Sequence, residues 1–307
     1  MKVKEWLPVW LENYVKPTAK EKTYVRYCEV VKHHLIPRIG ESEMSEVTPL
    51  TLQQMVTELS AHGNLRTSGG LSANTVNAIV TVIQAALQVA YRLGYLLEYT
   101  ADKVKRPKAA EKQIECFTVE EQKKIEAAAL ADRRPKMFGI VLCLYTGLRI
   151  GELLALEWSD VDLSKGEISV NKSCHDSKKD GKYCRLAEAP KTPSSRRIVP
   201  IPKQLLPLLR EQKKKSSSAF VVGEDKVQTV RSYQYSFSLL LRRIGVPHRG
   251  FHSLRHTFAT RALECGMDVK TLSEILGHKN PTVTLNRYVH SLMPHKHEMM
   301  NRLGKLL

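Results

Sequence analysis

Residues 251–288 read FHSLRHTFATRALECGMDVKTLSEILGHKNPTVTLNRY. Within five residues stand His252, Arg255 and His256, spaced i, i+3, i+4, so all three share one face of a helix. Two histidines four apart also mark the zinc-protease helix, but that helix needs a glutamate after its first histidine as general base, and Ser253 stands there. A basic triplet on one face also suits a phosphate-contacting helix. His278 follows where a helix ends at Gly277, and Tyr288 comes ten residues later. By themselves these residues fit either a helical core with polar passengers or one end of an active site.

The rest of the chain narrows the choice. Its 307 residues suffice for two domains, each with a core, and 42% hydrophobic with 26% charged residues is an ordinary soluble composition. Apolar stretches such as FGIVLCLY (138–145) fall short of the roughly 20 residues that cross a bilayer. The start, MKVKEWLPVWLENYVKP, has charges and prolines where a secretory leader has its apolar segment. The six cysteines are scattered and form no CxxC pair, which gives neither a zinc site nor a disulfide framework. These features predict a soluble intracellular protein with free thiols. The net charge is +17 and lies unevenly: residues 1–115 carry 15 basic and 12 acidic side chains, residues 116–307 carry 33 and 19. A basic surface of that size suits a polyanion, the phosphate backbone of nucleic acid first.

Periodicity divides the chain. The first hundred residues predict helices. VKEWLPVWLENYV sets Trp6, Val9, Trp10 and Tyr14 on one face; AKEKTYVRYCEVVKHHLIPRIG forms a second helix stopped by Pro37 and Gly40; a third starts after 48–50; and a long one follows Ser72 and ends near Gly94. DKVKRPKAAEKQIE (102–115) has linker composition, and TVEEQKKIEAAALA restarts a helix with a capping box of Thr118 and Glu121. Beyond it lie helices at 118–131, 135–146 and 150–157, and a strand at 166–173. A hairpin turning at Thr192–Ser195 within KYCRLAEAPKTPSSRRIVPI comes next, and helices resume from 203. The expected fold is mainly α with a small β-sheet and hairpin in the second of two domains: a helical bundle at 1–106, a linker at 107–116, and an α+β domain at 117–307.

Two more stretches carry candidate chemistry. In TGLRIGELLALEW (146–158), Arg149 and Glu152 share a helix face, as an ion pair that fixes the helix or as an anion site. PKTPSSRRIVPI (190–201) offers Lys191 beside a turn, with Arg196 and Arg197. Two arginines, a lysine, two histidines and a tyrosine form a workable kit for metal-free phosphoryl transfer. Guanidinium forks grip the phosphate oxygens, a histidine takes the tyrosine proton, and a lysine protonates the departing sugar oxygen.

These boxes, in this order, resemble the tyrosine recombinases, also called the phage integrase family, and the resemblance covers most of the chain. TGLRIGELLAL is similar to the family's first arginine box, PKTPSSRRIVPI to its lysine hairpin, HSLRHTFAT to its His-x-x-Arg box, and LGHKNPTVTLNRY to the stretch ending in the nucleophile. The resemblance implies that Tyr288 forms a 3′-phosphotyrosyl bond, that Arg149 and Arg255 bind the scissile phosphate, and that Lys191 is the general acid. It further implies His252 as general base, His278 as a hydrogen-bond partner of the phosphate, and Glu152 and His256 as supporting residues. No cofactor and no metal are implied. The helical half resembles the core-binding (SAM-like) DNA-binding domain, here starting at residue 1, whereas integrases of temperate phages and Gram-positive conjugative elements often carry an arm-binding domain before it. The implied activity is site-specific integration or excision of a mobile element in the bacterial cytoplasm. It would act on double-stranded DNA at attachment sites as a homo-tetramer, with accessory excision or DNA-bending proteins and no membrane. The tail, 289–307, has an apolar series that would dock on a neighbouring subunit or fold back on its own domain. The alternatives are a type IB topoisomerase-like relaxing enzyme and a DNA-binding regulator with a dead site; the complete residue set and the core-binding half weigh against them.

Overall fold

The computed structural model describes residues 1–99, 101–109, 115–132, 134–179, 182–188, 196–223, 228–278, 280–288 and 300. The expected lysine position, Lys191, the turn at 192–195 and nearly all of the tail lie outside them. The chain forms two compact units, Met1–Lys112 and Gln113–Leu307.

In the first unit, α1 (Val3–Trp10) runs into a π-helical turn, Leu11–Val15. The segment from α2 (Glu21–Val30) through a second π turn (Val31–Leu35) to α3 (Ile36–Ile39) is continuously helical. Then come α4 (Pro49–His62), capped by the Thr48 hydroxyl, and α5 (Ala73–Arg92), capped by Ser72. The core gathers Trp6, Trp10, Leu35, Leu59, Ile79 and Ile83 among others. The buried Trp6 donates its indole N–H to the Ala86 carbonyl at 3.1 Å, joining α1 to α5 and satisfying the polar end of a large apolar side chain.

Three expectations are corrected here. Val9 and Tyr14 are exposed, because the buried stripe runs through Val3, Trp6, Leu7 and Trp10 and the π turn then shifts the register. Pro37 does not stop its helix. It follows a π turn, whose wider loop accommodates a residue without an N–H, and Gly40 makes the end. Finally, the twenty-residue α5 is by length and apolar content able to cross a bilayer, which the shorter stretches had hidden. Eight of its side chains, from Val76 to Ala90, are buried in this core.

The second unit begins with α6 (Val119–Ala131), whose start is the capping box of Thr118 and Glu121. The apolar helix α7 (Pro135–Thr146) and the short α8 (Ile150–Ala155) follow. Strands β1 (Val161–Asp162), β2 (Glu167–Val170) and β5 (Arg197–Pro200) form an antiparallel sheet in the order β1-β2-β5, with Ile168 opposite both Val161 and Val199. Strands β3 (Ser173–Lys179) and β4 (Lys182–Glu188) pair with each other, Ser173 opposite Glu188. The predicted hairpin joining 182–188 to 197–200 is therefore wrong. Each of those strands pairs with an earlier one, 182–188 with β3 and 197–200 with β2. The Asp176 carboxylate on β3 accepts the N–H groups of Val230 and Arg231 at 2.7 and 3.0 Å, at the start of α10 (Val230–Arg243). The remaining helices are α9 (Leu206–Lys215), α11 (His252–Glu264), α12 (Val269–Leu276) and α13 (Pro281–Tyr288).

Candidate active site

Two left-handed glycines shape the site. Gly147 ends α7 at φ +64°, a conformation that costs a residue with a Cβ, and sends the chain back so that Arg149, extended, sits just ahead of α8. Gly277 ends α12 at φ +64° in the same way. The next N–H, that of His278, bonds back to the Ser273 carbonyl at 3.0 Å, which fixes where the imidazole starts.

The polar groups converge on the C-terminal end of α12. Arg149 donates from its backbone N–H and its Nη1 to the two oxygens of Glu152, at 2.9 and 2.8 Å, and from Nη2 to the Gly277 carbonyl at 3.2 Å. Arg255, on α11, is only 2% exposed; it donates to the carbonyls of Gly147 at 2.8 Å and Leu276 at 2.6 Å. Its Nη2 also lies 3.1 Å from His278 Nε2. Nδ1 in turn lies 2.7 Å from the hydroxyl of Thr284, a fully buried residue on α13. Glu152 is itself buried, and a third arginine, Arg197 at the start of β5, grips both its oxygens at 3.0 and 2.8 Å. Burial raises the Glu152 carboxyl, but the arginine pairing more than offsets this and holds it at about 2, so it is ionised.

The structure thus pairs Arg149 with Glu152 and Arg255 with His278, and brings the two pairs together at the last carbonyls of α12. His252 is exposed at the first turn of α11 and touches His256 edge to face, ring centroids 4.5 Å apart. Tyr288 is the last residue of α13, one turn beyond Thr284. Lys191 lies outside the described residues. Two contributors were given no role from the sequence: Arg197, named only beside Lys191, and Thr284. The only signal for either is position: Arg197 sits in the same box as Lys191, and Thr284 between His278 and Tyr288.

Three arginines thus meet at the end of α12, and the helix that follows ends in tyrosine. A model described as the phage integrase family matches residues 112–295, and one described as the phage integrase N-terminal SAM-like domain matches residues 2–60. A XerC-like tyrosine recombinase of Caldanaerobacter subterraneus is 32% identical over 97% of this chain and 81% of its own length. The ICEBs1 integrase of Bacillus subtilis is 29% identical over 94% of this chain and 79% of its own. In structure, the Tn1549 transposon integrase bound to transposon right-end DNA superimposes with a TM-score of 0.81 at 21% identity, covering 99% of this chain and all of that one. A lambda integrase tetramer bound to a Holliday junction gives 0.71 at 18% identity over 94% of this chain and 77% of that one. The chain belongs to the phage integrase family, the tyrosine recombinases. It is an enzyme of DNA strand breakage and rejoining, of the kind that moves mobile elements.

Proposed function

We propose that this chain is a site-specific recombinase that integrates or excises a mobile element in the bacterial cytoplasm. It binds double-stranded attachment sites through both units and acts on two synapsed duplexes as a homo-tetramer. In each cleavage the Tyr288 oxygen attacks the scissile phosphorus and its proton passes to His252. The bond to the 5′ oxygen breaks, and Lys191 gives that oxygen its proton. A 3′-phosphotyrosyl bond keeps the energy of the phosphodiester, so a 5′-hydroxyl from the partner strand can reverse the steps without cofactor or metal. Arg149 and Arg255 hold the non-bridging oxygens, and His278 hydrogen-bonds the phosphate. Glu152 orients Arg149, and His256 supports His252.

One observation carries the reading: Arg149, Arg255 and His278 converge on the end of α12, and the very next helix ends in Tyr288. The test is a nicked suicide duplex carrying the element's end, incubated with EDTA and run on a denaturing gel. Wild type should form a covalent protein–DNA adduct and Tyr288→Phe should not. Binding without any adduct would point to a DNA-binding regulator. An adduct that persists in Tyr288→Phe would move the nucleophile elsewhere.

A further inference from the structure

Arg197 takes no part in the steps just described, yet it is among the most firmly held side chains of the site. Its Nε donates to the Ile275 carbonyl at 2.5 Å, and its Nη1 and Nη2 meet the two oxygens of Glu152 at 3.0 and 2.8 Å. With its side chain only 6% exposed, it is shielded from a DNA phosphate. Glu152, the residue it grips, is the one that holds Arg149. Three consecutive carbonyls at the end of α12 therefore each receive one arginine: Ile275 takes Arg197, Leu276 takes Arg255, and Gly277 takes Arg149. The negative end of a helix dipole favours such an arrangement.

We propose that Arg197 is a positioning residue for strand cleavage. By strapping Glu152 to the end of α12, it fixes where Arg149 stands relative to Arg255, and so the spacing of the two-arginine grip on the scissile phosphate. The inference rests on the reading of Arg149 and Arg255 as phosphate ligands. A lysine cannot replace Arg197, because a single ammonium lacks the planar fork that spans a carboxylate while a third N–H reaches a carbonyl.

The experiment compares two suicide duplexes, one with the normal scissile phosphate and one with a methylphosphonate there, whose methyl replaces one charged oxygen. A grip on two oxygens matters less when one of them is gone, whereas a general packing defect slows both substrates alike. Adduct rate at saturating protein, DNA affinity and thermal midpoint are measured for wild type, Arg197→Lys, and the double variant Arg197→Met with Glu152→Gln. The double variant removes both charges of the buried Arg197–Glu152 pair together. On phosphate, Arg197→Lys should slow the adduct by about 10- to 100-fold with affinity changed less than about twofold, and the penalty should shrink to about threefold or less on methylphosphonate. The double variant should behave the same way with a midpoint near wild type. Equal penalties on the two substrates, or an unchanged rate in a folded variant, overturn the proposal. If Arg197→Lys does not fold, the double variant decides by the same comparison. No adduct from wild type on phosphate overturns the underlying reading as well, and is told apart because the failure is already in the wild-type lane.

Discussion

The Glu152 carboxyl stands under two opposed pressures. Burial pushes its pKa up, while the Arg197 fork and Arg149 pull it down further, from 4.5 to about 2. Its folded value lies below its unfolded one, so the stabilisation is fully present above about 4.5 and is lost as pH falls towards 2. It amounts to about 3 kcal/mol. Urea titrations of the wild type across pH 5 to 2 should therefore show a steep acid limb. In Glu152→Gln that limb should flatten, and stability at pH 7 should drop by about 3 to 5 kcal/mol because Arg197 is left buried without its anion. An acid limb unchanged in Glu152→Gln would assign it to other carboxylates. At this scale the sequence boxes named Arg149, Arg255 and His278, which gather at the end of α12, and Tyr288, which closes the next helix. The role of Arg197 was not legible, because it depends on a partner 45 residues away in the chain. Thr284 was missed for a similar reason: nothing in TVTLNRY says which threonine will be buried against an imidazole.

Among the elements, α12 matters most to the site, and its end depends on one residue. A Cβ on Gly277 would pay the left-handed penalty and would also lie 3.1 Å from Arg197 Cδ and Nη1, atoms that cannot swing aside while both Nη groups are bound to Glu152. Gly245, at φ +67°, has nothing within 4 Å of such a Cβ. Gly245→Ala should cost about 1 kcal/mol, for conformation alone, and Gly277→Ala should cost at least about 1 kcal/mol more. Equal midpoint shifts in denaturant would show that Arg197 yields freely. The helices were the legible elements, since their periodicity and caps are local: Ser72, Thr118 with Glu121, and the stop at Gly277 all stand where the sequence puts them. Strand pairing was not. Residues 182–188 and 197–200 alternate as hairpin arms would, but each finds its partner elsewhere, and short-range pattern carries no record of that choice. The π turns escaped for the same reason, and with them the exposure of Tyr14 and the passage through Pro37.

For the molecule as a whole, each unit carries its own core, and the positive charge gathers in residues 116–307. If that charge meets phosphates, affinity for a cognate duplex should fall by about a thousandfold or more between 50 and 200 mM salt, as expected for six or more phosphate contacts. A fluorescence-anisotropy titration at several salt concentrations measures the slope, and a flat one would deny the basic surface a role in binding. The same excess recurs in miniature around α12. Two guanidiniums, those of Arg149 and Arg197, share the Glu152 carboxylate there, and a third, that of Arg255, donates to the carbonyls of Gly147 and Leu276. A phosphodiester in the ground state brings one negative charge, and the pentacoordinate arrangement on the way to the phosphotyrosine brings two. On the proposed reading, the arginines at this helix end therefore favour the second charge over the first, which is where a catalyst gains from them.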